Sequence, residues 1–163
     1  GKVTVVDFWS ITCPISKGWE TRLKAIAETY GKKDVAFVAI DSNRTEHGDL
    51  AAIQTYVEQT KVPYTILLDD KNVVADKFGA THTPHVFVLD AKGVVQYVGA
   101  IDDDQSGKNV KTEYLRAALD AVLAGKAPAT TKTQAKGCSI KRVPAEAPKA
   151  EPAPKKDAEP KGK

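Results

Sequence analysis

Val6-Asp7-Phe8-Trp9-Ser10-Ile11-Thr12-Cys13-Pro14-Ile15-Ser16-Lys17 decides how this chain folds, because within twelve residues a strand pattern gives way to a helix pattern with a cysteine at the change. From Val3 to Trp9 successive positions are β-branched or aromatic, the mark of a strand covered on both faces in a mostly parallel sheet. Asp7 is the exception within it. Beyond Pro14, the residues Ile15, Trp19, Leu23, Ile26 and Tyr30 recur at helical spacing, and Gly31 marks a stop. Proline suits the first helical turn, where its missing N–H would have had no intrahelical partner. Cys13 therefore stands at a helix N-terminus, where unpaired N–H groups and the helix dipole favour a thiolate over a thiol. The same position also suits an inert cysteine that fills a small space in the core.

Working outward, Val35–Ile40 and Tyr64–Leu68 read as strands, and Leu50, Ile53 and Val57 mark a helix between them. Asp70–Gly79 reads as one short helix with Val74 and Phe78 on a common face. His85–Leu89 and Val94–Val98, joined by Asp90-Ala91-Lys92-Gly93, predict an antiparallel hairpin. Tyr114, Leu115, Ala118, Leu119, Val122 and Leu123 predict a last amphipathic helix closed by Gly125. The order β-α-β-α-β-α-β-β-α places the chain in the α/β class, with a central mixed sheet flanked by helices. We expect one domain over 1–125, an extension over 126–142 that carries Cys138, and a disordered Ala/Pro/Lys/Glu-rich tail over 143–163.

The 163 residues, 42% apolar and 28% charged, suit a single globular domain. The formal charge of +3 is misleading as a clue to nucleic acid. Residues 126–163 carry a net +6 and residues 1–125 a net −3, so a polyanion-binding body is not expected. No apolar run is long enough for a membrane-spanning helix. Because the strand pattern starts almost at Gly1, further residues and accessory elements are expected upstream. The compartment stays open, with export among the destinations. Two cysteines are too few for a disulfide scaffold or, by themselves, a structural zinc site. They are either one redox pair or two unrelated thiols.

The gapless stretch Val6–Lys17 resembles the active-site segment of the thioredoxin superfamily, whose usual form is V-D-F-W-A followed by W-C-x-x-C-K. The resemblance implies a thioredoxin-like fold, with Cys13 as attacking cysteine and Asp7 as the buried acid that assists proton transfer. Ser16 stands where the second cysteine of that motif would be, and its hydroxyl cannot form a disulfide. The segment also resembles the peroxiredoxin group, the alkyl hydroperoxide reductase/thiol-specific antioxidant redoxins. There Ser10 matches the hydroxyl residue that bonds peroxide and Pro14 the proline after the peroxide-attacking cysteine, while Val6 replaces an earlier proline and no arginine of the motif is located. A peroxiredoxin-like branch is matched further by Thr12-Cys13-Pro14, Asp41-Ser42-Asn43, Thr81-His82-Thr83-Pro84-His85-Val86-Phe87-Val88-Leu89-Asp90, Ile101-Asp102-Asp103 and Gly137-Cys138-Ser139-Ile140. This likeness spans about residues 1–142.

The same resemblance places Thr83-Pro84 where the proline is cis and lies beside the attacking cysteine, with the Thr83 backbone turned toward a substrate chain. It makes Cys138 the candidate resolving thiol, a flexible residue folding back to a disulfide with Cys13, as two-cysteine peroxiredoxins do; a spare exposed thiol or one bridging two chains is the alternative. Thr12, Pro14, Ser16, Thr83 and Pro84 are then the expected substrate contacts. His82 and His85 read as polar residues at the mouth of the site, so no metal and no cofactor are expected. Asp102-Asp103-Asp104 reads as a solvated loop without calcium-ligand spacing. Asn43-Arg44-Thr45 fits the glycosylation pattern but is too short to carry weight.

Two functions follow. The first is a thiol oxidoreductase, with antioxidant or thiol–disulfide exchange activity, that meets a peroxide or protein disulfide and is recycled by an external thiol. The second is a non-catalytic thioredoxin-fold binding module that has lost dithiol chemistry at Ser16.

Overall fold

The computed structural model describes residues 1–144. Strand β1 (Thr4–Trp9) leads into helix α1 (Pro14–Gly31), followed by β2 (Ala36–Asp41), α2 (Leu50–Thr60) and β3 (Thr65–Leu68). A 3₁₀ turn at Asp70–Asn72 and α3 (Val73–Phe78) precede β4 (His82–Thr83), β5 (His85–Leu89), β6 (Val95–Gly99), α4 (Tyr114–Leu123) and β7 (Cys138–Ser139). The main sheet runs β3-β2-β1-β5-β6, and β4 and β7 form a separate two-stranded ribbon. β1 pairs parallel with β2 and antiparallel with β5, so the sheet is mixed and β1 is central.

That central place explains the apolar run read in β1: Val5 and Phe8 are fully buried, one from each face of the pleat. Val5 joins Trp19, Leu23 and Tyr30 of α1 and Leu115 and Leu119 of α4 in one core cluster. Val6 and Phe8 join Phe78, Phe87 and Ile140 in another, in which Phe8, Phe78 and Phe87 meet edge to face. Trp9 packs with Ile53 and Tyr56 of α2.

The expected single helix over Asp70–Gly79 is broken. Lys71 and Asn72 both lie in the left-handed region, with φ of 60° and 59°. The buried Asn72 side chain is used there instead: its amide donates to the Ser42 carbonyl and its oxygen accepts from Val143 N–H. α3 starts only after this break, and the Asp69 carboxylate accepts from Val74 and Ala75 N–H at its first turn, each at 2.8 Å. Asp102 also departs from expectation. It is buried, and its carboxylate accepts from Trp19 Nε1 at 2.6 Å and Arg22 Nε at 2.7 Å, tying α1 to the loop after β6.

The chain after α4 returns to the body. Thr131 and Thr133 form backbone hydrogen bonds with Val98, and the Thr133 hydroxyl meets Tyr97 and Ala100 N–H. Gly99, at φ 148°, gives Thr133 the space a side chain would fill. The expected disordered tail begins at 143, but Val143 is tied to Asn72; the rest of that expectation, from 145 onward, lies outside the described residues.

Candidate active site at the α1 junction

Cys13 is the N-cap of α1, a place usually filled by a residue whose side-chain oxygen accepts a free backbone N–H. Here the acceptor is sulfur: Ser16 N–H points to Cys13 Sγ at 3.4 Å. Cys13 Sγ also lies 3.0 Å from the Thr83 carbonyl oxygen, across a Thr83–Pro84 bond that is cis. The residue is only 2% exposed. Burial alone pushes its thiol up, but hydrogen bonds from the Cys138 thiol, Ser16 N–H and Cys138 N–H oppose it, and the net shift is downward.

Cys138 reaches this place through β7. Thr83 pairs with Cys138 and His82 with Ser139, and Gly137 sits so close to the Thr83 carbonyl that a Cβ there would collide with it. Burial and the neighbouring Cys13 push the Cys138 thiol up, against a hydrogen bond from Ile15 N–H in the first turn of α1. Both thiols are free. The structure corrects the expectation of a flexible thiol: Cys138 belongs to a strand held in register. Its anchors are hydrogen bonds from Ile140 N–H to the Thr81 carbonyl, Arg44 N–H to the Lys141 carbonyl and Lys141 N–H to Asn43 Oδ1. Arg142 adds an ion pair with Asp76 and a hydrogen bond to the Ala80 carbonyl. Asn43 is itself buried and spent on this contact and on the Trp9 carbonyl, which removes it as a glycosylation acceptor in the folded chain.

Asp7 lies beneath the junction, 3% exposed, with Oδ1 unpartnered among the described residues. Desolvation lifts its carboxyl well above the usual carboxylate range, a His85 backbone hydrogen bond opposes the rise, and the Cys13 charge adds to it. Asp7 is thus electrostatically coupled to Cys13. Ser10 is buried too, but its hydroxyl is engaged with Glu46 while it accepts Cys13 N–H at 3.1 Å. Thr12 and Pro14 are exposed beside it, Ser16 and Pro84 are buried, and the Ser16 hydroxyl has no partner among the described residues.

Glu46 is a site residue that the sequence reading missed. Its buried carboxylate accepts from Ile11 N–H at 3.0 Å, Thr12 N–H at 3.3 Å and the Thr12 hydroxyl at 2.5 Å, as well as from Ser10. It therefore holds the whole segment that delivers Cys13. Asp41, fully buried beside it, is pushed up to about 7 by desolvation and by Glu46, with Asn43 N–H and His47 opposing. Glu46 follows no periodic pattern and sits 33 residues after Cys13, so only an acidic residue close to the Asp41-Ser42-Asn43 strand end hinted at it. His85 is buried and lowered to about 4, first by desolvation and then by His82 and Lys132. No cluster of three metal-ligating side chains occurs among the described residues.

Residues 1–98 match the AhpC/TSA family. The chain belongs to that family. This redoxin domain is similar to the thiol:disulfide interchange protein DsbE of Allochromatium vinosum, 31% identical over 105 residues that make up 63% of this chain and 54% of the relative. It also resembles the thioredoxin-like protein YneN of Bacillus subtilis, 25% identical over 59% of this chain and 55% of the relative. The chain therefore spans just over half the length of the curated relatives it matches. An uncharacterized conserved protein from Geobacillus kaustophilus shares its fold, with a TM-score of 0.81, 33% identity, and coverage of 88% of this chain and 79% of that one. A thioredoxin-like protein solved in its oxidized form aligns with a TM-score of 0.63 and 23% identity over 77% of this chain and 80% of that one, which supports the thioredoxin-like architecture. No helix among the described residues is long and apolar enough to cross a membrane.

Proposed function

We propose that this redoxin is a thiol–disulfide oxidoreductase whose working couple is Cys13 and Cys138. The observation that carries this reading is the β4–β7 pairing, which seats Cys138 opposite Thr83 and against the Cys13 thiol. Ser16 removes the usual partner cysteine from the helix, and β7 supplies one from the other side. In the reduced state the couple holds two thiols. Reaction with a disulfide RSSR′ leaves a Cys13–Cys138 bond and two thiols, RSH and R′SH, and an external dithiol reverses the change. Within the couple Cys13 is the readier thiolate, since hydrogen bonds from the Cys138 thiol and then Ser16 N–H favour its charge. Asp7, held protonated by burial, exchanges a proton with Cys13 as its sulfur gains or loses charge. Thr12, Pro14, Ser16, Thr83 and Pro84 form the walls of the site.

Disulfide exchange is favoured over peroxide reduction by what surrounds Ser10 and Cys13. The Ser10 hydroxyl is committed to Glu46, and none of the four arginines bonds Cys13: Arg22, Arg116 and Arg142 are paired with Asp102, Glu113 and Asp76, and Arg44 is exposed. The test is turnover of hydroxyethyl disulfide with a dithiol donor, run beside consumption of hydrogen peroxide, for wild type, Cys13→Ser and Cys138→Ser. Disulfide turnover lost in both variants supports the couple. Peroxide consumption that survives in Cys138→Ser would move the function to one-cysteine peroxide chemistry, and no turnover in wild type would favour a binding module.

A further inference from the structure

The two sulfurs of the couple differ in reach. Cys13 is closed in by the first turn of α1, the Thr83 carbonyl and β7, at 2% exposure. Cys138, on the outer member of the β4–β7 ribbon, is partly open to solvent. Which sulfur of a disulfide an external thiol attacks depends on access and on how well the other sulfur leaves. The incoming thiolate approaches in line, from the side opposite the leaving sulfur. Around Cys13 Sγ, Ser16 N–H and the Thr83 carbonyl already stand at 3.4 Å and 3.0 Å, leaving an incoming thiolate little room. Cys138, by contrast, is partly open.

β7 also occupies the backbone edge along which a polypeptide would have to lie to reach Cys13. Thr83 is paired with Cys138, the Thr81 carbonyl accepts Ile140 N–H, and Gly137 is pressed against the Thr83 carbonyl without room for a side chain. With Ile140 buried among Phe8 and Phe87 and the next residues anchored to Asn43 and Asn72, this strand is a built-in occupant of that edge.

We propose that Cys138, rather than Cys13, is the cysteine that meets external thiols and disulfides, with Cys13 completing the exchange from beneath it. The inference rests on the Cys13–Cys138 couple proposed above. From the oxidised state, an external thiolate attacks Cys138 Sγ, the Cys13–Cys138 bond breaks, and Cys13 leaves as a thiolate. A second external thiolate attacks the external sulfur of the mixed disulfide, releasing RSSR and the Cys138 thiolate, which takes a proton from water. Two thiols are oxidised and the couple is reduced. In the opposite direction Cys138 gives its thiol proton to water and attacks a disulfide, expelling R′S⁻, which takes up a proton; Cys13, as thiolate, then attacks Cys138 Sγ and expels RS⁻. The ordinary roles of attacking and resolving cysteine are thereby exchanged between helix and strand.

The full chain, oxidised and mapped to contain the Cys13–Cys138 bond, is mixed with excess reduced glutathione, quenched in acid at short times and mapped by peptide mass. Glutathione on Cys138 in at least tenfold excess over Cys13 is the expected result; equal labelling, or an excess on Cys13, overturns the proposal while leaving the couple standing. In parallel, Cys13→Ser reacts with Ellman's reagent at least tenfold faster than Cys138→Ser, and the reverse order overturns the assignment by a second route. A starting map without the Cys13–Cys138 bond overturns both this proposal and the couple on which it rests.

Discussion

The α1 junction and the β7 strap bring one thiol each to the same point by opposite means. At the junction, the placement of Cys13 is local: a buried strand ends, proline opens a helix, and the sulfur caps the N–H of the residue three positions on. At the strap, placement depends on contacts across the chain, with Asn43, Asn72, Asp76 and Thr81 holding residues 140–143. The junction is also pinned from behind by Asp102, which binds Trp19 and Arg22 of α1. A site built this way has one rigid wall and one that is held by separable contacts. The junction offers Ser16 N–H to the Cys13 sulfur, and the strap brings the Cys138 thiol that favours its thiolate most.

This contrast can be broken in order of size. Replacing either sulfur removes the couple, so Cys13→Ser and Cys138→Ser each lower disulfide turnover on the order of 10³-fold or more, as loss of one member of a cooperating set does. Asp102→Ala leaves the buried Trp19 N–H and Arg22 Nε–H without their acceptor, while the guanidinium keeps its bond to the Asp104 carbonyl; urea unfolding should show a loss of about 2–3 kcal/mol. Gly137→Val drives a side chain into the Thr83 carbonyl, so β7 has to lift, and the loss of about 1–3 kcal/mol expected of overpacking should appear with a slower formation of the internal disulfide under oxidised glutathione. Arg142→Ala removes a partly exposed ion pair and should cost no more than about 1 kcal/mol.

Asp7 gives the contrast a pH signature. Burial holds its carboxyl protonated in the folded state at pH values where the unfolded chain has already ionised. Folding then takes up a proton, and the stability this contributes is complete in acid and is lost as pH rises from the usual carboxylate range toward the raised folded value. Asp7→Asn removes that loss. Its stability relative to wild type should increase as pH rises out of the usual carboxylate range and level off once the folded carboxyl ionises, and a difference that stays constant through that rise in urea titrations would contradict the assignment.

The parts legible in the sequence are those governed by local pattern. The run Val5-Val6-Asp7-Phe8-Trp9 shows a central strand because both faces of β1 are covered, and Asp7 stands out as the one ionisable group within it. The junction at Cys13-Pro14 is legible for the same reason. Glu46 and the β4–β7 ribbon were not, since a two-residue strand has no period and a carboxylate that serves backbone N–H groups 34 and 35 residues away has no spacing rule. Asp102 was read as solvated because three consecutive aspartates suggest a loop, and its burial follows from Trp19 and Arg22, 83 and 80 residues distant in the chain. The break at Lys71-Asn72 escaped because neither residue is a glycine or proline that would mark it, and the Asn72 side chain answers to Ser42 and Val143.

The central claim is that β7 makes Cys138 the redox partner of Cys13. The direct measurement is the equilibrium of the full chain with defined ratios of oxidised to reduced glutathione, quenched in acid and read as intact mass and unreduced peptides. The account predicts a single two-electron transition between the dithiol and a Cys13–Cys138 linked peptide within one chain. Two independently glutathionylated cysteines, or a disulfide joining two chains, would contradict it.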